Sequence, residues 1–128
     1  MQPLPAHTVR GVRHNLAITM IYAGRPGEAL PILESLLEDA RLSGDLQLLS
    51  PLHNARGSAL QDLGRLDEAL QATLRAVDLA WQSLETDATL YALWNLALLA
   101  HRLDRPDPAA RLMAFADTAW RTQFGPLA

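Results

Sequence analysis

The chain has 128 residues, a single-domain length, and carries 49% apolar but only 5% aromatic residues, so its core must be built mostly from Leu and Ala, which favour helices over sheets. Its formal charge of −3, with every basic residue an Arg, supplies no basic stripe for a nucleic-acid backbone. The absence of Cys excludes disulfides and thiolate metal sites, and no apolar run approaches membrane-spanning length, so the expectation is an all-α, cytoplasmic protein that binds neither nucleic acid nor membrane.

Pro3 and Pro5 keep the first residues extended, and Thr8 is the expected N-cap of a helix running to about Ala23. Gly24-Arg25 breaks it, and Pro26 suits the first turn of a second helix, where its missing N–H costs nothing. Ala29, Leu33, Leu36, Leu37 and Ala40 follow at helical spacing until Ser43-Gly44-Asp45, which supplies a stop and the next N-cap. A third helix runs to about Leu63, with Pro51 expected to begin its regular part or to kink it. In the fourth, Leu66, Ala69, Leu70, Thr73, Leu74, Val77, Ala80, Trp81 and Leu84 form one stripe meant for burial. Glu85-Thr86-Asp87 opens a fifth helix to about Leu103. A sixth carries Ala109, Leu112, Met113, Ala116 and Trp120 until Gly125-Pro126.

Shifted by forty residues, the chain aligns with itself. Gly24-Arg25-Pro26-Gly27-Glu28-Ala29-Leu30 falls on Gly64-Arg65-Leu66-Asp67-Glu68-Ala69-Leu70 and then on Asp104-Arg105-Pro106-Asp107-Pro108-Ala109-Ala110, and Asn15-Leu16-Ala17 falls on Asn95-Leu96-Ala97. A fixed period of this length marks a helical solenoid, whose units bury their apolar faces only by stacking. Within each unit a small residue stands near the middle of the first helix (Ala17, Gly57, Ala97) and another near the start of the second (Ala29, Ala69, Ala109). Two helices joined by a short turn approach closely only where no bulky side chain stands at their crossing. Gly24 and Gly64 suit the left-handed conformation that ends a helix, whereas Asp104 fits it poorly, so the third turn is expected to rely on Pro106 and Pro108 instead.

The Leu-small pair of the first helices (Leu16-Ala17, Leu96-Ala97), the Gly turn and the Glu-Ala-Leu start of the second (Glu28-Ala29-Leu30, Glu68-Ala69-Leu70) resemble the tetratricopeptide repeat over roughly residues 8 to 121. The long-helix variety at the C-terminal ends of large bacterial transcriptional regulators and kinases is the closer likeness. The resemblance implies a right-handed α-solenoid of three antiparallel hairpins within one domain, residues 1–128, with repeats at about 8–43, 45–84 and 86–124. It also implies a concave groove lined by first helices, which maps onto His14, Asn15, Ile18 and Tyr22, then Asn54, Ala55, Ser58 and Gln61, then Tyr91, Trp94, Asn95, Leu98 and Arg102.

Such a groove suits an extended or helical peptide, with aromatic anchors and amides for backbone groups. Alternatively, Asn15 and Asn95 pair with neighbouring helix ends and Trp94 fills a gap between units. A carboxylate clamp, known in some family members, needs Lys and Arg at set groove positions, and a chain without Lys that offers mainly neutral groups there disfavours that mode. His7, His14, His53 and His101 are scattered without metal-ligand spacing, Gly24-Arg25-Pro26-Gly27 is no phosphate loop, and no nucleophile stands with a base, so neither a metal, a cofactor nor an enzymatic activity is expected. The expected function is a non-catalytic protein- or peptide-binding module, a sensor or scaffold part of a bacterial regulator. A small-molecule effector domain and a homo-oligomerisation module are the alternatives. The unneighboured ends of a three-unit stack should dock on another domain of a parent protein or on a second copy of the chain.

Overall fold

The computed structural model describes residues 2–83, 86–104, 118, 121 and 122. Five helices follow in order: α1 (Ala6–Tyr22), α2 (Pro26–Ser43), α3 (Leu46–Asp62), α4 (Leu66–Gln82) and α5 (Thr86–Arg102). Most of the expected sixth helix, including Ala109 and the prolines at 106 and 108, lies outside the described residues.

Each helix packs on the next, and α3 also meets α1 and α5, whereas α2 and α4 do not touch each other. The first helices of successive units therefore form a continuous inner row, while the second helices stand apart on the outside, so the stack curves with α1, α3 and α5 on its inner side. Leu33, Leu36, Leu52 and Leu60 are fully enclosed between the layers, and Ala17, Ala29, Ala69 and Ala97 are likewise without solvent access. Gly57 shows why these positions stay small: a Cβ there would stand 2.5 Å from Thr73 Oγ1 and 3.5 Å from the Ala69 carbonyl oxygen on α4.

The turns share one hydrogen-bond pattern. Gly24 and Gly64 have φ +76°, and their N–H groups donate to the Ile21 and Gln61 carbonyls. The N–H groups of Arg25 and Arg65 reach back to Met20 and Leu60, completing a Schellman cap. Arg25 and Arg65 also fork their guanidinium groups onto Glu28 and Glu68, three residues on in the first turn of the next helix.

Five local expectations need correction. Thr8 does not cap α1, which begins at Ala6 behind Pro5, whose carbonyl accepts the first helical bond from Val9 N–H at 3.0 Å. Asp45 stands at the N-cap of α3 but its carboxylate makes no cap bond, because His7 and Arg10 of α1 occupy it. Pro51 does not begin the regular part of α3, which starts at Leu46 and runs through it; the carbonyl of Gln47 that loses its donor belongs to an exposed residue that water can serve. In α4 the buried face is Ala69, Ala72, Thr73, Ala76 and Ala80, while Leu74 and Trp81 are exposed, because close approach to α3 selects the small residues and turns the bulky ones to the flank. Asp104 takes the left-handed conformation after all, at φ +63°, with its N–H on the His101 carbonyl as the glycines do. Aspartate is among the residues that tolerate this region.

A groove along the inner helices

The inner row encloses a groove of about 1180 Å³. Along α3, Gln47, Asn54, Ser58 and Gln61 present one polar stripe to it, and Ser50 also lines it although its buried hydroxyl donates to the Ala76 carbonyl of α4 at 2.8 Å, while Leu48, Leu52, Ala59 and Leu60 face the core. From α1 come His14, Ile18, Ile21 and Tyr22, and from α5 Asp87, Tyr91, Trp94, Asn95 and Leu98. Tyr22 is 87% exposed and Trp94 38%, so one ring stands free at the rim and the other is partly seated.

Of the residues expected in the groove, His14, Ile18, Tyr22, Asn54, Ser58, Gln61, Tyr91, Trp94 and Asn95 are brought together there, as are Ala55 and Leu98. Asn15 and Arg102 are not among the lining residues. Asn15 is exposed on α1, its carbonyl accepting from Thr19 Oγ1 at 2.9 Å. Arg102 ties α5 to α3, donating to the Gln61 carbonyl at 2.8 Å with Asp62 Oδ1 at 4.0 Å. Asn95 does two things at once: it lines the groove, and its amide N–H groups donate to Asn54 Oδ1 and Ser58 Oγ, each at 2.8 Å, so its polar end is spent between α5 and α3.

The first half of α3, with Leu46, Gln47, Ser50 and Pro51, was missed by sequence reasoning, as were Ile21, Asp62 and Asp87. Extending the Asn54-Ser58-Gln61 stripe backwards by helical steps would have found Gln47 and Ser50. The His14 ring is half-buried against α3; burial lowers its pKa, partly countered by the Pro51 backbone, and its Nε2 has no hydrogen-bond partner among the described residues.

A second, smaller cleft of about 430 Å³ opens on the other side, where α2 and α4 stand apart over α3. Arg41, Arg56 and Arg75 line it with Glu34, Glu38 and His53. Burial, then the charges of Arg75 and Arg56, pushes His53 down to about 4. No group of three or more His, Cys, Asp or Glu among the described residues could hold a metal ion, and none of the described helices is long and apolar enough to cross a membrane.

A row of inner helices lining a groove, with the outer helices α2 and α4 standing behind it, defines a helical-repeat interaction module. The family model described as Tetratricopeptide repeat matches residues 11–35, 51–75 and 90–114, more than half of the chain, and the chain belongs to that family. Its matched units begin 40 and then 39 residues apart, in step with the internal period. Among solved structures, the crystal structure of the TPR domain of Arabidopsis FLU superimposes with a TM-score of 0.81 at 18% identity, over 92% of this chain and 99% of that one. That likeness concerns the fold. No curated protein matches the chain significantly. The fold is that of a recognised non-catalytic module for protein or peptide binding.

Proposed function

We propose that the groove along α1, α3 and α5 is the binding surface, that the complete domain is a right-handed stack of three hairpins, and that it serves as a sensor or scaffold part of a bacterial regulatory protein. The observation carrying this reading is the convergence of Tyr22, Tyr91 and Trp94 with the amides of Asn54 and Gln61 along one continuous inner surface. Aromatic rings give contact area at little entropic cost, and amides serve a peptide backbone. Partner capture from the source cell is expected to fall at least tenfold for Trp94→Ala, a loss typical of an aromatic anchor. Asn95→Ala, by contrast, should act chiefly on stability, since its amide is engaged within the fold. Undiminished capture by Trp94→Ala and Tyr91→Ala together would take the groove out of the account.

A second surface supports docking to a neighbouring domain or a second copy. Val9, Val12 and Leu16 form an exposed stripe on α1, with Val12 57% exposed. Forty residues on, Leu52 lies in the core and Leu49 packs against it at the register of Val12 and Val9, while Arg56 stands at that of Leu16. The α1 stripe thus has the chemistry of a between-unit face. Sedimentation of the chain with and without Val12→Glu tests this: a lighter species in the variant supports a second copy, and an unchanged monomer excludes it.

A further inference from the structure

The charge of the groove identifies the kind of peptide it takes. Its described lining includes two carboxylates, Asp62 and Asp87, and no arginine, whereas the cleft on the outer side holds three arginines balanced in part by Glu34 and Glu38. Asp62 is partly answered by Arg102, 4.0 Å away, while Asp87 has no ion-pair partner among the described residues. His14 adds no compensating charge near neutral pH, because burial lowers its pKa. On α5, Asp87, Tyr91 and Trp94 follow at spacings of four and three, which places them on one face of the helix, and all three line the groove.

We propose that this groove binds a peptide segment bearing an Arg or Lys side chain, whose cation lies between the Asp87 carboxylate and the rings of Tyr91 and Trp94. The inference rests on the reading of the groove as a peptide site and specifies the partner's chemistry. A guanidinium or ammonium there gains a charge-assisted hydrogen bond and the attraction of an aromatic face, while apolar neighbours of the cation meet Ile18, Ile21 and Leu98. An acidic peptide would instead face two carboxylates without a cationic lining residue among those described.

Panning a random peptide library displayed on phage against the full chain tests the proposal. The enriched sequences should carry Lys or Arg at one register and exclude Asp and Glu there. A synthetic representative should bind Asp87→Asn about three- to fivefold more weakly, with helicity unchanged by circular dichroism, and should weaken similarly at high salt. Enriched sequences that are neutral or acidic yet lose binding to Trp94→Ala would overturn the charge inference and leave the groove a peptide site. Sequences that bind Asp87→Asn and Trp94→Ala as well as the parent would overturn both, and a library yielding no binder overturns the proposal as well.

Discussion

At Gly57 one hydrogen atom decides how closely two helices approach. Gly57→Ala forces the new methyl onto Thr73 Oγ1, a side chain 1% exposed with little room to give, and should cost about 1–3 kcal/mol in chemical denaturation. In a Thr73→Ala background the same substitution should cost less, and equal costs in the two backgrounds would show that the Thr73 hydroxyl is not the obstacle. Ala69→Leu overfills the same crossing from α4, where Ala69 is fully buried, and belongs to the same range of about 1–3 kcal/mol. Asp104 offers the opposite case. It holds a left-handed conformation that glycine adopts at the two equivalent turns, so Asp104→Gly should stabilise the chain by about 0.5–1 kcal/mol, read as a raised unfolding midpoint.

Among the elements, α1 is held by a device of its own. Arg10, nearly buried, donates through Nε to Asp45 Oδ2 at 3.0 Å, while its Nη1 lies 3.4 Å from Ser43 Oγ and 3.6 Å from Asp39 Oδ2; His7 Nδ1 reaches the same Asp45 oxygen at 2.7 Å. Burial alone would raise the Asp45 pKa, but the hydrogen bonds from His7 and Arg10 prevail and lower it. Arg10→Ala, which strips the buried Asp45 carboxylate of its guanidinium partner and leaves it only His7, should cost about 2–4 kcal/mol and speed hydrogen exchange in α1 before α4. Acid acts on the fold in two stages. The unfolded chain binds protons on His14 and His53 near pH 6.5 while the folded chain resists them, so stability is complete above that pH and declines toward about 4. Below the ordinary carboxylate range Asp45 adds a further loss as pH falls through its lowered folded value. His53→Gln should flatten the first stage, and an unchanged slope in a pH series of thermal melts would remove His53 as its source. The sequence made the helices legible because Leu and Ala recur at three- and four-residue steps and Gly marks the ends. It concealed the role of Asp45, whose N-cap position is local information while its partners lie 35 and 38 residues away. It also misdirected Trp81, since size argued for burial while the close α3–α4 crossing admits only small side chains.

For the whole molecule, most of the groove could be read from repeat register, because equivalent positions of the first helices fall on one surface whatever their side chains. What register could not supply was occupancy: that Asn95 bonds across to α3, that Arg102 serves as a tie, and that the described groove lining carries two carboxylates and no arginine while Arg41, Arg56 and Arg75 gather outside with Glu34 and Glu38. Packing also ranks the helices. Only α3 touches all four of the other described helices, whereas α1 rests on α2 and α3 alone. Peeling away α1 strips α3 of a single side and leaves its junctions with α4 and α5 standing, but loosening α3 leaves only the α1–α2 and α4–α5 seams among the described helices. A warmed molecule should therefore fray at its leading edge first, and the amides at the centre of α3 should be the last to trade protons for deuterons.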